Sequence, residues 1–170
     1  MPEPLPEPWL RGVIPGLNPV TGHLLRASEQ IREDLARHIA PLTPEQLWAR
    51  PEQMTPAGFH VKHLAGSTER LCQYLVGRPL SDEQIRALER ESQPEGNASE
   101  LLERVNGALS RFDEIVRQLR ADEFGDIREV GRKRIPVTAI GLAIHIVEHG
   151  QRHVGQAISA AKLSRASHGG

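Results

Sequence analysis

Four long stretches of this chain repeat apolar residues at helical spacing, and a proline or glycine stands near almost every end of them. After Asn97, the residues Leu101, Leu102, Val105, Leu109, Phe112, Val116 and Leu119 follow an i, i+3, i+4 pattern. One side of a helix there is apolar and has to be covered. Val20, Leu24, Ile31 and Leu35 make the same demand behind Asn18-Pro19, which reads as an N-cap with proline at the first helical position; that helix ends before Pro41. Phe59, Leu64, Leu71, Leu75 and Val76 mark another, with Gly77 placed to terminate it. The proline-free stretch from Val137 to about Leu163 carries Ile140, Ile144, Val147, Val154 and Ile158 as a stripe. Four stripes that must bury one another predict an all-α fold, a single-domain four-helix bundle.

Shorter features fill the gaps. Residues 1–17 are too rich in proline for a helix or a central strand, and predict an extended N-terminal arm. Thr43-Pro44-Glu45-Gln46 has the form of a capping box opening a helix of one or two turns, with Leu47 and Trp48 as its anchor. Asp82 to Glu91 suits a short amphipathic helix, and residues 125–136 a loop or small hairpin. Residues 164–170, small and polar, are expected to fray. The whole chain of 170 residues is one domain's worth and long enough to bury a core without disulfide or metal staples.

Charge and cysteine usage exclude several classes. The formal net charge is −1, and the single basic cluster, Arg132, Lys133 and Arg134, is short and lacks interleaved aromatics, so no nucleic-acid partner is expected. Cys72 is the only cysteine, which rules out an internal disulfide and suits a reducing cytoplasm. No apolar run approaches the roughly 20 residues needed to cross a bilayer, and the acidic, proline-rich start has neither the basic nor the apolar region of a signal peptide. Neither membrane association nor export is expected.

The chemistry lies in the histidines. His145, His149 and His153 are spaced by four, so they run along one edge of the last helix with a drift of about 40° per step. His60 and His63 sit three apart on the helix that begins near Phe59. A single histidine is most often a hydrogen-bonded boundary residue. Five imidazoles gathered on two helices are another matter: buried and protonated they pay desolvation, and neutral they leave ring nitrogens without partners. A divalent cation resolves the conflict. Two ligands at i and i+4 plus a third from a facing helix leave further coordination positions to water or substrate, as in catalytic sites. Imidazole suits zinc, nickel, copper or iron alike. His145 to His149 also spells H-x-x-E-H, the inverted zincin pattern. That match is read as accidental, because no Asp or Glu follows Gln151 to act as the acidic third ligand.

FHVKHLAGSTERLCQYLVG and, much later, IHIVEHGQRHVGQ together resemble the DinB/YfiT-like superfamily of four-helix bundles, over nearly the whole domain. The resemblance implies a metal triad of His63, His149 and His153, followed by the Gly155-Gln156 pair, with His60 and His145 as extra imidazoles. Arg152 stands where many relatives have a further His; that position is not a ligand. The resemblance also implies zinc or nickel as the cation, a homodimer, and a small-molecule substrate. The reactions it implies are transfer of a low-molecular-weight thiol to an electrophile, hydrolysis or isomerisation, of which a hydrolase or thiol S-transferase is the leading expectation. On this reading His145 or His60 orients a ligand or shuttles a proton, and Gln156 bonds a substrate or bound water. Cys72, nine residues beyond His63, falls on the opposite side of its helix and is read as a core residue. The competing expectations are a non-catalytic, metal-binding, dimerising module associated with stress, in which His60 closes the fourth coordination position, and a protein without a metal, in which the histidines form a hydrogen-bonded polar seam.

Overall fold

A computed structural model describes residues 5–168 as an all-α domain with one small hairpin. Six α-helices occur among the described residues: α1 (Pro19–His38), α2 (Pro44–Trp48), α3 (Ala57–Leu75), α4 (Asp82–Glu89), α5 (Ala98–Gln118) and α6 (Ala139–His168). Between α5 and α6, β1 (Ile127–Val130) pairs antiparallel with β2 (Ile135–Thr138), Ile127 opposite Thr138.

The starts are set by local chemistry. Asn18 accepts from the Val20 amide with Pro19 in the first turn, and Thr43, Ser81 and Asn97 each close a reciprocal capping box with Gln46, Gln84 and Glu100. At the far end of α3, Gly77 takes a φ of +71°, a conformation that stops the helix at little cost only for glycine.

α1, α3, α5 and α6 form the bundle, each packed on two neighbours in the ring α1–α5–α3–α6. Its core has two halves. In one, Ile31 and Leu35 of α1, Val61 and Leu64 of α3, Leu101 and Val105 of α5, and Val154 and Ala157 of α6 meet, joined by Leu47 of α2. In the other, Leu24 and Leu25 meet Cys72 and Leu75, Phe112 and Val116, and Leu142 and Ile146. Late α1 and late α6 thus meet early α3 and early α5, so α1 and α6 run one way and α3 and α5 the other. Parallel neighbours need a long connection; residues 76–97, carrying α4, provide it between α3 and α5.

The structure departs from the sequence reading at several points. The segment read as a fraying tail continues α6 to His168. Ser164 is buried and donates to the Gln46 carbonyl, while Arg165 donates to the His38 carbonyl. Residues 169–170 lie outside the described residues. The arm is not extended throughout, because Pro8–Leu10 form a 3-10 turn and Arg11 reaches Glu29 and Glu33 on α1. Residues 1–4 of the arm lie outside the described residues. Val20 and Ile144, counted as core positions, are 41% and 48% exposed. They face an open cleft of about 530 Å³ between α1 and α6. The residues at 125–136 do form a hairpin, and Val137 belongs to its second strand rather than to α6. No helix among the described residues is long and apolar enough to cross a membrane.

Candidate metal centre

α3 and α6 run antiparallel side by side, so residues early in α3 lie opposite the middle of α6. There His63, His149 and His153 converge, each offering one ring nitrogen, with all three nitrogens within 4.8 Å of one another. The Nε2 atoms of His63 and His149 are 3.1 Å apart. Two nitrogens bound at about 2.0–2.1 Å in tetrahedral positions would be about 3.3 Å apart, so the spacing suits a ligand pair as well as a hydrogen bond between the rings. All three residues are half-buried.

The electrostatics favour lone pairs over protons. Burial, with the neighbouring imidazoles His63, His149 and His60, pushes His153 down to about 4. His149 is lowered by burial and by His63, and His60 likewise. Neutral imidazoles are the form that binds a cation.

Around the trio stand groups that orient it. His63 Nδ1 lies 2.6 Å from Glu91 Oε2, so the carboxylate accepts the Nδ1–H and turns the Nε2 lone pair toward His149. The other oxygen of Glu91 accepts from Arg70 Nη1 at 2.8 Å. Burial alone would raise the Glu91 carboxyl, but the hydrogen bonds from His63 and Arg70 carry it below its ordinary value. Phe59 stacks on His63 with the rings 11° from parallel and their centres 5.7 Å apart. His60 is buried, and its Nδ1 faces His153 Nδ1 at 3.1 Å, one nitrogen donating and the other accepting. It stands behind His153, outside the group of three.

Of the residues singled out in the sequence, His63, His149 and His153 form the group of three, His60 adjoins it through His153, and His145, Gln156 and Cys72 lie outside it. His145 is exposed on the surface of α6, with its ring centre 5.6 Å from that of His149 and its Nδ1 3.4 Å from Glu148. Gln156 is also exposed, one turn beyond His153. Cys72 is buried in the core beside Phe112 and Leu75, and burial pushes its thiol up to about 12, far from a nucleophile's range. Glu91 is the residue that sequence reasoning missed. A signal for it exists in α3, where His63, Gly66 and Arg70 fall on one row at three- and four-residue steps, leaving a buried guanidinium beside His63 in want of an anion.

The donor set fits a divalent cation, and the three imidazoles together can hold one. The family model of the DinB superfamily matches residues 27–157, which span the bundle from within α1 to the middle of α6 and include all three imidazoles. No curated protein matches the chain significantly.

Proposed function

The chain belongs to the DinB superfamily, and on that premise we propose that it is a metal-dependent enzyme of the hydrolase or thiol S-transferase type, acting on a small molecule. The observation that carries this reading is the count of donors: three imidazoles converge, and among the described residues no fourth histidine, cysteine or carboxylate joins them. A structural site fills its fourth position with protein, whereas a catalytic one leaves it for solvent or substrate.

His63, His149 and His153 would hold the ion, with zinc or nickel suited to the nitrogen set. When bound, such a cation acidifies a coordinated water or thiol enough to supply a nucleophile near neutral pH. The remaining chemistry belongs to the chain. Glu91 keeps His63 in the tautomer that presents Nε2, and His60 bears on His153 in the same way. His145, exposed beside His149, is suited to carry protons between the centre and solvent. Gln156 offers an amide one turn from His153 for a substrate's polar group, and the ring of Phe59 stacks on His63. The substrate is a small electrophile, the co-substrate water or a low-molecular-weight thiol, and the working form a homodimer in the cytoplasm.

Untagged protein, loaded with Zn(II) or Ni(II) and then stripped with chelator, tests this on panels of ester and amide hydrolysis and of thiol addition to electrophiles. Turnover is expected in the loaded form, at least about 100-fold lower after chelation, and restored by metal. Turnover indifferent to the chelator would refute the mechanism. Stoichiometric metal with no turnover on any panel would favour a non-catalytic binding module.

A further inference from the structure

We propose that Glu91 is the positioning residue of the metal centre, and that through it metal binding and the docking of the α4–α5 connection form one linked equilibrium. The proposal rests on the reading that His63, His149 and His153 bind a metal.

Glu91 is 6% exposed, a carboxylate carried into the protein by a segment that has little other reason to be there. None of the residues of α4 is buried. The connection is held instead by polar contacts to one side of α3. Lys62 Nζ donates to the carbonyls of Arg90 and Gln93 at 3.2 and 3.0 Å and pairs with Glu95 at 2.9 Å. Arg70 and His63 take the two oxygens of Glu91, one each. A buried ion pair is a poor means of stabilising a fold, since an apolar pair of similar volume does as well or better. What an apolar pair cannot do is accept the Nδ1–H of His63.

Gly66 points the same way. A Cβ at that position would collide with Glu91 Oε1 and come within 2.8 Å of Arg70 Nη1. The φ of Gly66 is not in the left-handed region, so backbone freedom does not call for glycine there; space for the carboxylate and guanidinium does. Helix α3 gives up side-chain volume, at a helix-propensity cost of roughly 1 kcal/mol relative to alanine, to admit an anion beside a ligand.

Two consequences follow from the geometry. Glu91 fixes the ring plane and tautomer of His63, so its loss weakens metal binding although it touches no metal; such partners are worth about 10–100-fold in affinity. By reciprocity, a cation on Nε2 holds His63 in the form that Glu91 accepts from, and so fastens the 82–95 segment onto α3 by the same factor.

The test compares the parent with the Arg70→Met/Glu91→Leu double variant, which removes both charges together and leaves neither one buried alone, and with Gly66→Ala, which keeps both charges but displaces the carboxylate. Zn(II) affinity is measured by competition with a chromophoric chelator, and amide hydrogen exchange over residues 82–95 with and without Zn(II). Expected are a fall in affinity of about 10–100-fold in both variants, and slowing of exchange by zinc in the parent but not in the variants. Parental affinity in the folded double variant would overturn the proposal, as would exchange over 82–95 in the parent that is indifferent to zinc. If the double variant does not fold, Gly66→Ala decides by the same criteria. A parent that takes up no zinc defeats the metal reading and this inference with it; a parent that binds zinc beside variants that bind it equally well defeats this inference alone.

Discussion

Alanine in place of His149 or His153 is expected to weaken divalent-cation binding by about 10²–10³-fold while the bundle stays folded. The magnitude comes from dividing the roughly 10–16 kcal/mol of apparent binding typical of a structural zinc among four ligands, about 3 kcal/mol each, at 1.4 kcal/mol per tenfold. The fold survives because both side chains are half-buried at the margin of the bundle, outside either half of the core. Alanine is also the best helix former in their place. Competition titrations with Zn(II) give the affinity, and thermal unfolding in chelator gives the stability. His60→Ala is the internal comparison: its contact is with His153 and not with the group of three, so its loss is expected to cost only about 10-fold. Variants at His149 and His153 that bind as tightly as the parent would remove the basis of the proposed function.

The largest effect on stability is expected at the other half of the bundle. Phe112 is fully buried on α5 among Leu24, Cys72, Leu75 and Leu142, where α1, α3, α5 and α6 all meet. Phe112→Ala removes a ring that neighbouring side chains fixed on four helices cannot close over, a change that costs about 3–5 kcal/mol. For a domain of this size that corresponds to a fall in Tm of about 6–20 °C, a large share of the ~5–15 kcal/mol that typical domains possess. Chemical denaturation at unchanged m-value is the measurement. A loss under about 1 kcal/mol would mean that the core is not packed as described. Zinc affinity in the folded variant should stay within a few-fold of the parent, because the imidazoles adjoin the other half of the core, where α6 contributes Val154 and Ala157.

The bundle was legible because its determinants are local. Asn18 and Thr43 cap the helices they were expected to cap, and the apolar stripe of α5 is buried at Leu101, Val105, Leu109, Phe112 and Val116 as its period demands. What failed to read correctly depends on contacts distant in sequence. Val20 and Ile144 fit the helical stripe, yet a stripe is wider than the strip that neighbours cover, and these two lie on its uncovered margin between α1 and α6. Ser164 looks like tail composition; it is buried where α6 passes α2, and its hydroxyl reaches the Gln46 carbonyl.

The same division runs through the metal centre. The i, i+4 pair His149 and His153 is visible in the sequence, and the family resemblance added His63. Three imidazoles at intervals of four cannot all serve one point, however, because each step overshoots a full turn by about 40° and two steps carry His145 about 80° away. Accordingly it sits at the surface with Glu148. Glu91 was missed for the opposite reason: the row on α3 asks for an anion without saying which. It stands 28 positions from His63, just past the end of a short, exposed helix, and only the turn at Arg90 brings its carboxylate back onto α3.

X-ray absorption on untagged protein at its zinc or nickel edge, with the metal content of the same sample, tests the central claim most directly. One ion per chain is predicted, bound by three imidazole nitrogens at about 2.0–2.1 Å with at least one light ligand that the chain does not supply. Protein that retains no ion after incubation with stoichiometric Zn(II) or Ni(II), or an ion closed off by four ligands from the chain, would contradict it.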